Sequence, residues 1–584
     1  MSDITTEVLI IGSGPAGLTT AAHLATAGVP NMVVNRHSWL ANTPRAHITN
    51  QRAMEVFRDL GTELEQEIYL YATDQDLMGN NVFCLSLAGE ELGRMQSWGN
   101  DPFSRAEHLT TSPTRMNDLP QTYLEPLLLK TACARGTQAR MSVEYLRHMQ
   151  DDDGVTTTCL DKLTGREFTV RSRYLVGADG GNSLVAQNEG FPFEGKMGVG
   201  GSMNILFRAD LSKYVARRPS VLYWVLQPGA DVGGIGMGLV RMVRPWNEWL
   251  IVWGYDINQP APVVDQAMAT QVARQLVGDP GLEIDLISAN TWTVNNCYAT
   301  QMRKGRVFIM GDAAHRHPPS NGLGSNTSVQ DGFNLAWKLA MVLKGQAGET
   351  LLDSYSDERA PVSRQIVTRA NQSIAEFGPI FAALGMDGGV DTEKIRANMA
   401  RLGDATLEAE AQRQALREAI AFKKYEFDAH GVEMNQRYRS TAIRADGQPE
   451  PAFAKDPELH AQFTTWPGAR LPHVWVYDAA GDRHSTLDLC GHGRFTLLTG
   501  IGGEVWSRAA AKVGQALGLE IAVRVIGPRR DFEDLSGDWA RRREVADSGA
   551  VLVRPDHHVC WRRVAMVSDP EGELQVALAG ILGR

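Results

Sequence analysis

Cysteine is scarce in this chain: six thiols (Cys84, Cys133, Cys159, Cys297, Cys490 and Cys560) are scattered over 584 residues, with no C-x-x-C pair and no paired zinc-ligand spacing. That scatter argues against a disulfide framework or a structural zinc site and predicts reduced thiols in a cytoplasmic protein. Long apolar runs are also missing. The longest weakly charged stretch, Ser220 to Val240, is broken by Gln227, Pro228, Asp231 and repeated glycines, so it reads as two strands and a turn, and no transmembrane helix is expected. Ahead of the first apolar strand, Glu7 to Ile11, there is no room for a charged segment, an apolar core and a cleavage site, so no secretory signal is expected. Positive charge is not in excess. The net charge of -10 argues against nucleic-acid binding, which needs clustered Lys and Arg to offset phosphate charge.

What is present is the composition of an ordinary globular protein, 43% apolar and 22% charged. At roughly 100–200 residues per domain, the length predicts about three or four domains. Val8-Leu9-Ile10-Ile11 suits a strand buried on both faces, and Leu18 to Ala27 has the Ala/Leu content of a tightly packed helix, stopped at Gly28. Met32 to Val34 is the second strand, and a helix follows from about Asn50 to Leu60. Tyr145 to Asp179 alternates around Gly154 and Gly165 as a β-meander returning to a buried strand, Tyr174 to Ala178. From Gly201 to Ile257 the pattern changes to the long alternating runs of an antiparallel sheet, with strands at Val221 to Leu226, Gly236 to Val240 and Trp249 to Tyr255. Gly305 to Met310 is again a buried strand, and a long helix is expected from about Ser325 to Lys344. Asp391 to Lys424 is charged and helical. The proline-rich stretch Arg444 to Pro472 reads as a linker or wrapping arm into a C-terminal domain with strand character at Leu471 to Trp475, Phe495 to Leu498, Ile521 to Ile526 and Val551 to Pro555.

The residues that carry chemistry begin with Gly12-Ser13-Gly14-Pro15-Ala16-Gly17, between a strand and a helix. Gly12 and Gly14 permit a tight turn and close approach of a pyrophosphate, Gly17 permits helix–sheet packing, and the helix N-terminus offers free amides to the phosphates. The acidic residue that usually ends the second strand is replaced by Asn35 and Arg36. Asn35 can still bond a ribose hydroxyl, whereas Arg36 would suit a 2′-phosphate, so this end leaves the choice of dinucleotide open. Two further segments bear on it: Gly311-Asp312-Ala313-Ala314-His315 with Pro318-Pro319 and Asn321-Gly322-Leu323-Gly324-Ser325-Asn326 at a helix start, and Ala178-Asp179-Gly180-Gly181-Asn182-Ser183.

With these three segments in this order the chain resembles the class A flavoprotein aromatic hydroxylases, and within them it is most similar to chlorophenol and phenol hydroxylases through PRAHITNQR, RPSVLYWVLQPG, VRPWNEWLIVWGYD and HRHPPSNGLGSNTS. The resemblance covers nearly the whole chain. It implies an α/β fold: a Rossmann-like FAD-binding domain (1–75, 105–195 and 290–380), an antiparallel-sheet substrate domain (76–104 and 196–289), helices and linker (381–465), and a C-terminal thioredoxin-like domain (466–584). Cys490 and Cys560 lack the C-x-x-C arrangement, so a packing or dimerisation role is expected of that domain rather than a redox one. By the same resemblance Asp312 binds the flavin ribityl chain, and the helix start with Pro319, Gly322, Gly324, Ser325 and Asn326 faces the pyrimidine end of the ring. Asp179 and Gly180 serve FAD and nicotinamide, while Arg45, Ala46 and Gln121 touch the mobile ring. The Arg usual after the Asp179 segment is Ala186 here, which puts its phosphate contact in doubt. YSDERAPV, from Tyr355, is expected to be structural.

The implied chemistry uses NADPH or NADH to reduce FAD, adds O2, and delivers oxygen to a phenolic ring through a flavin hydroperoxide. The phenol needs a base. His47, two residues after Arg45 and matching the Asp that serves phenol hydroxylases, is the candidate, since an unperturbed His titrates near pH 6.5 and can accept that proton; capping of the following helix is its plain structural alternative. The sheet domain is expected to supply pocket walls, for which Tyr223, Trp224, Met237, Trp253, Tyr255 and Trp292 are available, with His317 lining the ring pocket and His315 structural; aromatic strand residues are more often core. No metal is expected. The expected partner is a small phenolic substrate, with a homodimer or homotetramer as the assembly and no membrane or nucleic acid involved. Competing readings are the same chemistry on a resorcinol, pyridinol or natural-product aromatic, a flavin oxidase or dehydrogenase, and a non-catalytic protein that keeps a flavin fold.

Overall fold

The computed structural model describes residues 4–228, 237–386 and 391–584. The apolar run after Glu7 becomes the middle of a parallel sheet. Strand Ile4–Ile11 pairs with Asn31–Asn35 on one side and with Arg166–Gly177 on the other; Gln138–Met141 and Val307–Ile309 extend the sheet outward. Val8, Leu9 and Ile10 are completely buried, as a strand covered on both faces requires. Arg166–Gly177 has two halves. Its first half pairs antiparallel with Val155–Asp161, which returns to Val143–Gln150, and its second half enters the parallel sheet; this is the expected meander.

Two helices lie across this sheet, Pro15–Thr26 and Leu323–Leu343. They approach closely because Gly332 carries no side chain: a Cβ there would stand 3.0 Å from Thr20 N and 3.1 Å from Ala16 O. The second helix begins two residues earlier than its sequence suggests, at Leu323.

The second sheet has the strand order His315–Arg316, Asp285–Ala299, Phe193–Arg208, Glu248–Tyr255, Gly238–Arg244, Leu222–Val225, Asn80–Cys84, Glu91–Gln96. All neighbours are antiparallel except Leu222–Val225 with Asn80–Cys84. The turn expected near Asp231, together with Gly229 and Gly236, lies outside the described residues; the strand expected from Gly236 is observed from Gly238. Helix Gln266–Val277 covers one face of this sheet, seated so closely that a Cβ on Gly238 would strike Leu276 at 2.6 Å.

Helices Gly378–Leu384, Thr392–Ala400 and Leu407–Phe422 follow. The C-terminal sheet orders its strands Ile521–Val525, Phe495–Thr499, Ala550–Val553, Val559–Arg563, with the first pair parallel and the others antiparallel, the thioredoxin-like arrangement. Leu471 to Val474 is irregular chain rather than the expected strand, and Val559–Arg563 is a strand that the sequence reading passed over. No helix among the described residues is long and apolar enough to cross a membrane.

Candidate active site

Two helices start directly from the glycine motifs of the sequence. Several helices here have a side-chain oxygen over their first turn, for example Asn50 to Ala53 N, Asp265 to Met268 N and Thr406 to Ala409 N. Pro15–Thr26 and Leu323–Leu343 start instead at Gly14 and Gly322, without any side-chain cap. Their first amides are left for something outside the helix, and both helix dipoles favour an anion there.

Around the first start, Gly12 has φ +108° and a Cβ would stand 2.2 Å from Ala178 O; at Gly17 it would stand 2.2 Å from Gly12 O. Those two glycines are required by the protein's own packing. Gly14 is not: a Cβ there would meet only Glu125 Oε1, at 3.9 Å, so its bareness leaves an open cradle of the kind a pyrophosphate fills. Pro15 and Ala16 form the first turn of the helix above it. At the end of the second strand, Asn35 is engaged in closing a turn, donating to Trp39 O at 3.0 Å and accepting from His37 N at 3.3 Å, and Arg36 points to solvent.

The Asp179 segment has a structural task. Asp179 accepts from Ser183 Oγ at 2.5 Å and from Val185 N at 3.2 Å, fastening the start of helix Leu184–Glu189, and burial raises its carboxyl above the usual range. Gly180, at φ +82° with open space where a Cβ would be, leaves the adjoining surface bare. Ala186 is buried in that short helix and offers no phosphate contact.

Around the second start a buried carboxylate organises the loop. Asp331, on the long helix, accepts from Gly311 N at 3.0 Å, lies 2.9 Å from His315 Nε2, and is held by Arg359 Nε at 2.7 Å. Arg359 belongs to YSDERAPV, which is thus structural, as is His315. Asp312 projects from the same turn with an exposed side chain, available to a ribityl hydroxyl. Asn326 ties the helix start to the neighbouring segment: it donates to Ile48 O and Gly322 O, at 2.8 and 2.7 Å, and accepts from Asn50 N at 2.9 Å. Pro319, Gly322, Gly324 and Ser325 stay partly or wholly exposed, so the helix mouth is open. His317 lies against it, its Nε2 3.4 Å from where a Gly324 Cβ would be; burial pushes its pKa down to about 4, leaving it neutral.

The segment fixed by Asn326 carries Arg45, Ala46 and His47. Ala46 O accepts from Gln121 N, and His47 O from Leu119 N, both at 2.7 Å, while the exposed Arg45 donates to Thr43 Oγ1 at 3.1 Å. The pairing of Ile48 with Asp118 brings a carboxylate beside the candidate base: His47 Nδ1 lies 3.2 Å from Asp118 Oδ1. Arg241 completes the group, its Nη2 3.7 Å from Asp118 Oδ1 and its Nη1 donating to Pro44 O. Asp118 and Arg241 are buried, yet Asp118 Oδ2 and Arg241 Nε and Nη2 have no hydrogen-bond partner among the described residues. Burial, reinforced by Arg241 and opposed by Asp118, pushes His47 down to about 4, and burial brings Arg241 down to about 10. At neutral pH the group is a carboxylate flanked by a neutral imidazole on one side and a guanidinium with free donors on the other. Neither Asp118 nor Arg241 was singled out from the sequence.

Strand register decides which aromatics face this group. Arg241 stands opposite Leu222 and Leu250, and Trp224 opposite Leu239, which stands opposite Val252 and through it Asn204; all share one face. Trp292 joins them, opposite Ser202 and bonded through Nε1 to Asn204 Oδ1 at 3.1 Å. Tyr223, Trp253 and Tyr255 point the other way, into the core beneath helix Gln266–Val277, and Tyr223 donates to Arg218 O at 2.9 Å. The expectation that those three line the pocket is corrected accordingly. Met237 is likewise enclosed, among Phe377, Leu384 and Leu416. Among the described residues no group of three or more His, Cys, Asp or Glu side chains is arranged to hold a metal ion.

Known proteins share this construction. A family model described as an FAD binding domain matches residues 5–370, and a model of the C-terminal domain of aromatic-ring hydroxylases matches residues 464–584. The chain belongs to the FAD-binding aromatic-ring hydroxylases; it is an FAD-dependent aromatic monooxygenase, a class that consumes O2 and a reduced nicotinamide. It is 55% identical over 583 residues to the 2,4-dichlorophenol 6-monooxygenase of Cupriavidus pinatubonensis, covering 100% of this chain and 97% of that protein. It is 49% identical to the phenol 2-monooxygenase of a Pseudomonas species, covering 99% and 93% respectively. The flavin-dependent monooxygenase PieE, solved with FAD and substrate, matches at a TM-score of 0.94 and 44% identity over 100% of both chains. Aklavinone-11 hydroxylase, solved with FAD and aklavinone, matches at 0.81 and 30% identity, again over 100% of both. The bare cradle at Gly14, the uncapped helix starts at Gly14 and Gly322, and the free Asp312 carboxylate fit FAD.

Proposed function

We propose that this monooxygenase hydroxylates a substituted or chlorinated phenol ortho to its hydroxyl, with His47 as the base and NADPH or NADH as reductant. The observation that carries the reading is the buried trio of His47, Asp118 and Arg241, flanked on the same sheet face by Trp224, Leu239 and Val252. An apolar wall with one polar anchor suits a small ring bearing a single hydroxyl.

Bound FAD supplies the redox chemistry, taking electrons from the nicotinamide and activating oxygen. The protein's own part is to make the ring nucleophilic. Asp118 accepts from His47 Nδ1–H and so leaves the Nε2 lone pair free for the phenolic proton. The free donors of Arg241 stabilise the phenolate oxygen that results, a general-base device typically worth about 100- to 10,000-fold. Because His47 is already neutral at pH 6, its proton affinity rests on Asp118. The helix start at Gly322 and the tie through Asn326 hold the cofactor side rigid against this group. On the same reading Gly12, Gly14 and Ala16 frame the pyrophosphate, Arg45, Ala46 and Gln121 border the ring, and His317 with Trp224 and Trp292 completes the pocket. We further propose a cytoplasmic homodimer or homotetramer; six unpaired thiols support a reducing compartment.

The test is product mass from a phenol panel with NADPH or NADH. A gain of one oxygen on a chlorophenol, in step with reductant use, supports the reading; reductant consumed with only peroxide released on every phenol sinks the substrate class. His47→Ala with unchanged phenol hydroxylation across pH 6–9 and normal flavin reduction would remove His47 as the base.

A further inference from the structure

Glu125 stands where a carboxylate is least expected. Helix Gln121–Ala134 runs past the first glycine turn and presents this side chain, only 3% exposed, to the mouth of the pyrophosphate cradle. Its Oε1 accepts from Gln121 Nε2 at 2.6 Å and its Oε2 from Ala41 N at 2.7 Å. Among the described residues, Oε1 is also the one atom of another element within 4 Å of the space that a Gly14 Cβ would take. The charged group facing Glu125 is the Arg45 guanidinium, on the neighbouring loop; Gln121 and Ala41 present neutral donors, and the near end of helix Pro15–Thr26 brings no charged side chain.

We propose that Glu125 takes up a proton when FAD binds, so that retention of the cofactor is linked to pH through this carboxyl. The pyrophosphate brings two negative charges to a cradle whose nearest side-chain atom belongs to a buried carboxylate. Like charges that close do not both persist, and one proton from solvent onto a Glu125 oxygen removes the repulsion and turns an acceptor-only group into a donor. The exposed Arg45 offsets the clash only in part, because its charge is screened by water. Burial already holds the carboxyl above the ordinary range before the cofactor arrives. The complex then binds more protons than its separated parts, so FAD is held most tightly at low pH. Its affinity weakens as pH rises from the carboxyl's value in the free protein to its value in the complex, and then levels.

The inference rests on FAD pyrophosphate lying at Gly14, and the experiment separates the two. Holoenzyme is diluted at pH values from about 5.5 to 8.5 and FAD release is followed by recovery of flavin fluorescence; calorimetry in two buffers of different ionisation enthalpy counts protons, the linkage that predicts the slope. For the wild type the dissociation constant should rise at least roughly tenfold over that range, with proton uptake on binding. Glu125→Gln, which keeps an acceptor for Gln121 or Ala41, should bind FAD with a flat pH profile and more tightly than wild type at high pH. A pH-independent wild type, or the same slope in both proteins, overturns the proposal. Gly14→Val is the control: if it binds FAD normally, the cradle is misplaced, whereas loss of FAD there with an unchanged slope in Glu125→Gln condemns Glu125 alone. Should Glu125→Gln not fold, an absence of proton uptake by the wild type is decisive by itself.

Discussion

Asp118→Asn keeps the shape beside His47 and removes its charge. Asp118 raises the proton affinity of His47 while burial and Arg241 lower it, so the substitution drives His47 further below about 4 and weakens the base. We expect kcat/KM for phenol hydroxylation to fall roughly 10- to 100-fold, the lower part of the range for general-base catalysis, with FAD content and substrate-free flavin reduction unchanged. Steady-state product formation beside stopped-flow reduction checks this. The sign also fixes the pH profile: wild-type His47 is deprotonated well below pH 6, so no loss of rate on its account should appear between pH 6 and 8. Gly12→Ala is a backbone prediction. With φ +108° and a Cβ 2.2 Å from Ala178 O, it should cost at least about 2 kcal/mol and abolish FAD binding, read by thermal melting and flavin absorbance.

At the scale of elements, one asparagine links helix Leu323–Leu343 to the segment bearing His47. Asn326→Ala would leave Asn50 N and the carbonyls of Ile48 and Gly322 without their partner, at a cost of about 1–3 kcal/mol for a buried unsatisfied group. Because the tie sets the distance between His47 and the helix mouth, we expect uncoupling before unfolding: reductant use continues while product per reductant falls, measured by parallel peroxide and product assays. Most elements were legible in the sequence because each is punctuated locally. Gly28 ends one helix, Asn50 caps another, and apolar runs mark the buried strands. Leu471 to Val474 misled because a short apolar run reads as strand whether or not an edge is free to receive it. His47 is a candidate already in the sequence, through its neighbour Arg45, whereas Asp118 lies 71 residues away and comes alongside only through strand pairing.

The whole molecule is held by buried charge as well as by apolar packing. The C-terminal domain docks through Arg554, which donates to Glu358 at 2.5 and 2.9 Å; Lys338 and Asn334 of helix Leu323–Leu343 reach the same carboxylate at 2.8 and 2.7 Å. Glu358→Gln would leave Arg554 and Lys338 short of counter-charge, and we expect a loss of about 3–5 kcal/mol, visible as a lower Tm with FAD released as the domain loosens. Acid should unfold the protein in two stages. His23, His47 and His558, held neutral by burial and pushed down to about 4, penalise the fold increasingly as pH falls from 6.5 to 4. Glu55, held near 2 by Arg470 and Arg52, keeps its contribution above pH 4.5 and loses it on the way to 2. Melting temperatures from pH 7 to 3 should therefore begin to drop above pH 5, before the carboxylates titrate.

By itself the sequence determined the class: a glycine turn between strand and helix, an Asp turn before a second helix and their order along the chain can be read without any fold in hand, and through the family they resemble they point to FAD. Tertiary structure decided the pocket. Side chains alternate between faces of a strand, so neighbours such as Tyr223 and Trp224 part company once the sheet lies against the flavin domain. No local property of Trp253, Asp118 or Arg241 says which face will be covered. That depends on helix Gln266–Val277 occupying one side and on strands distant in the chain meeting on the other, which is a matter of packing.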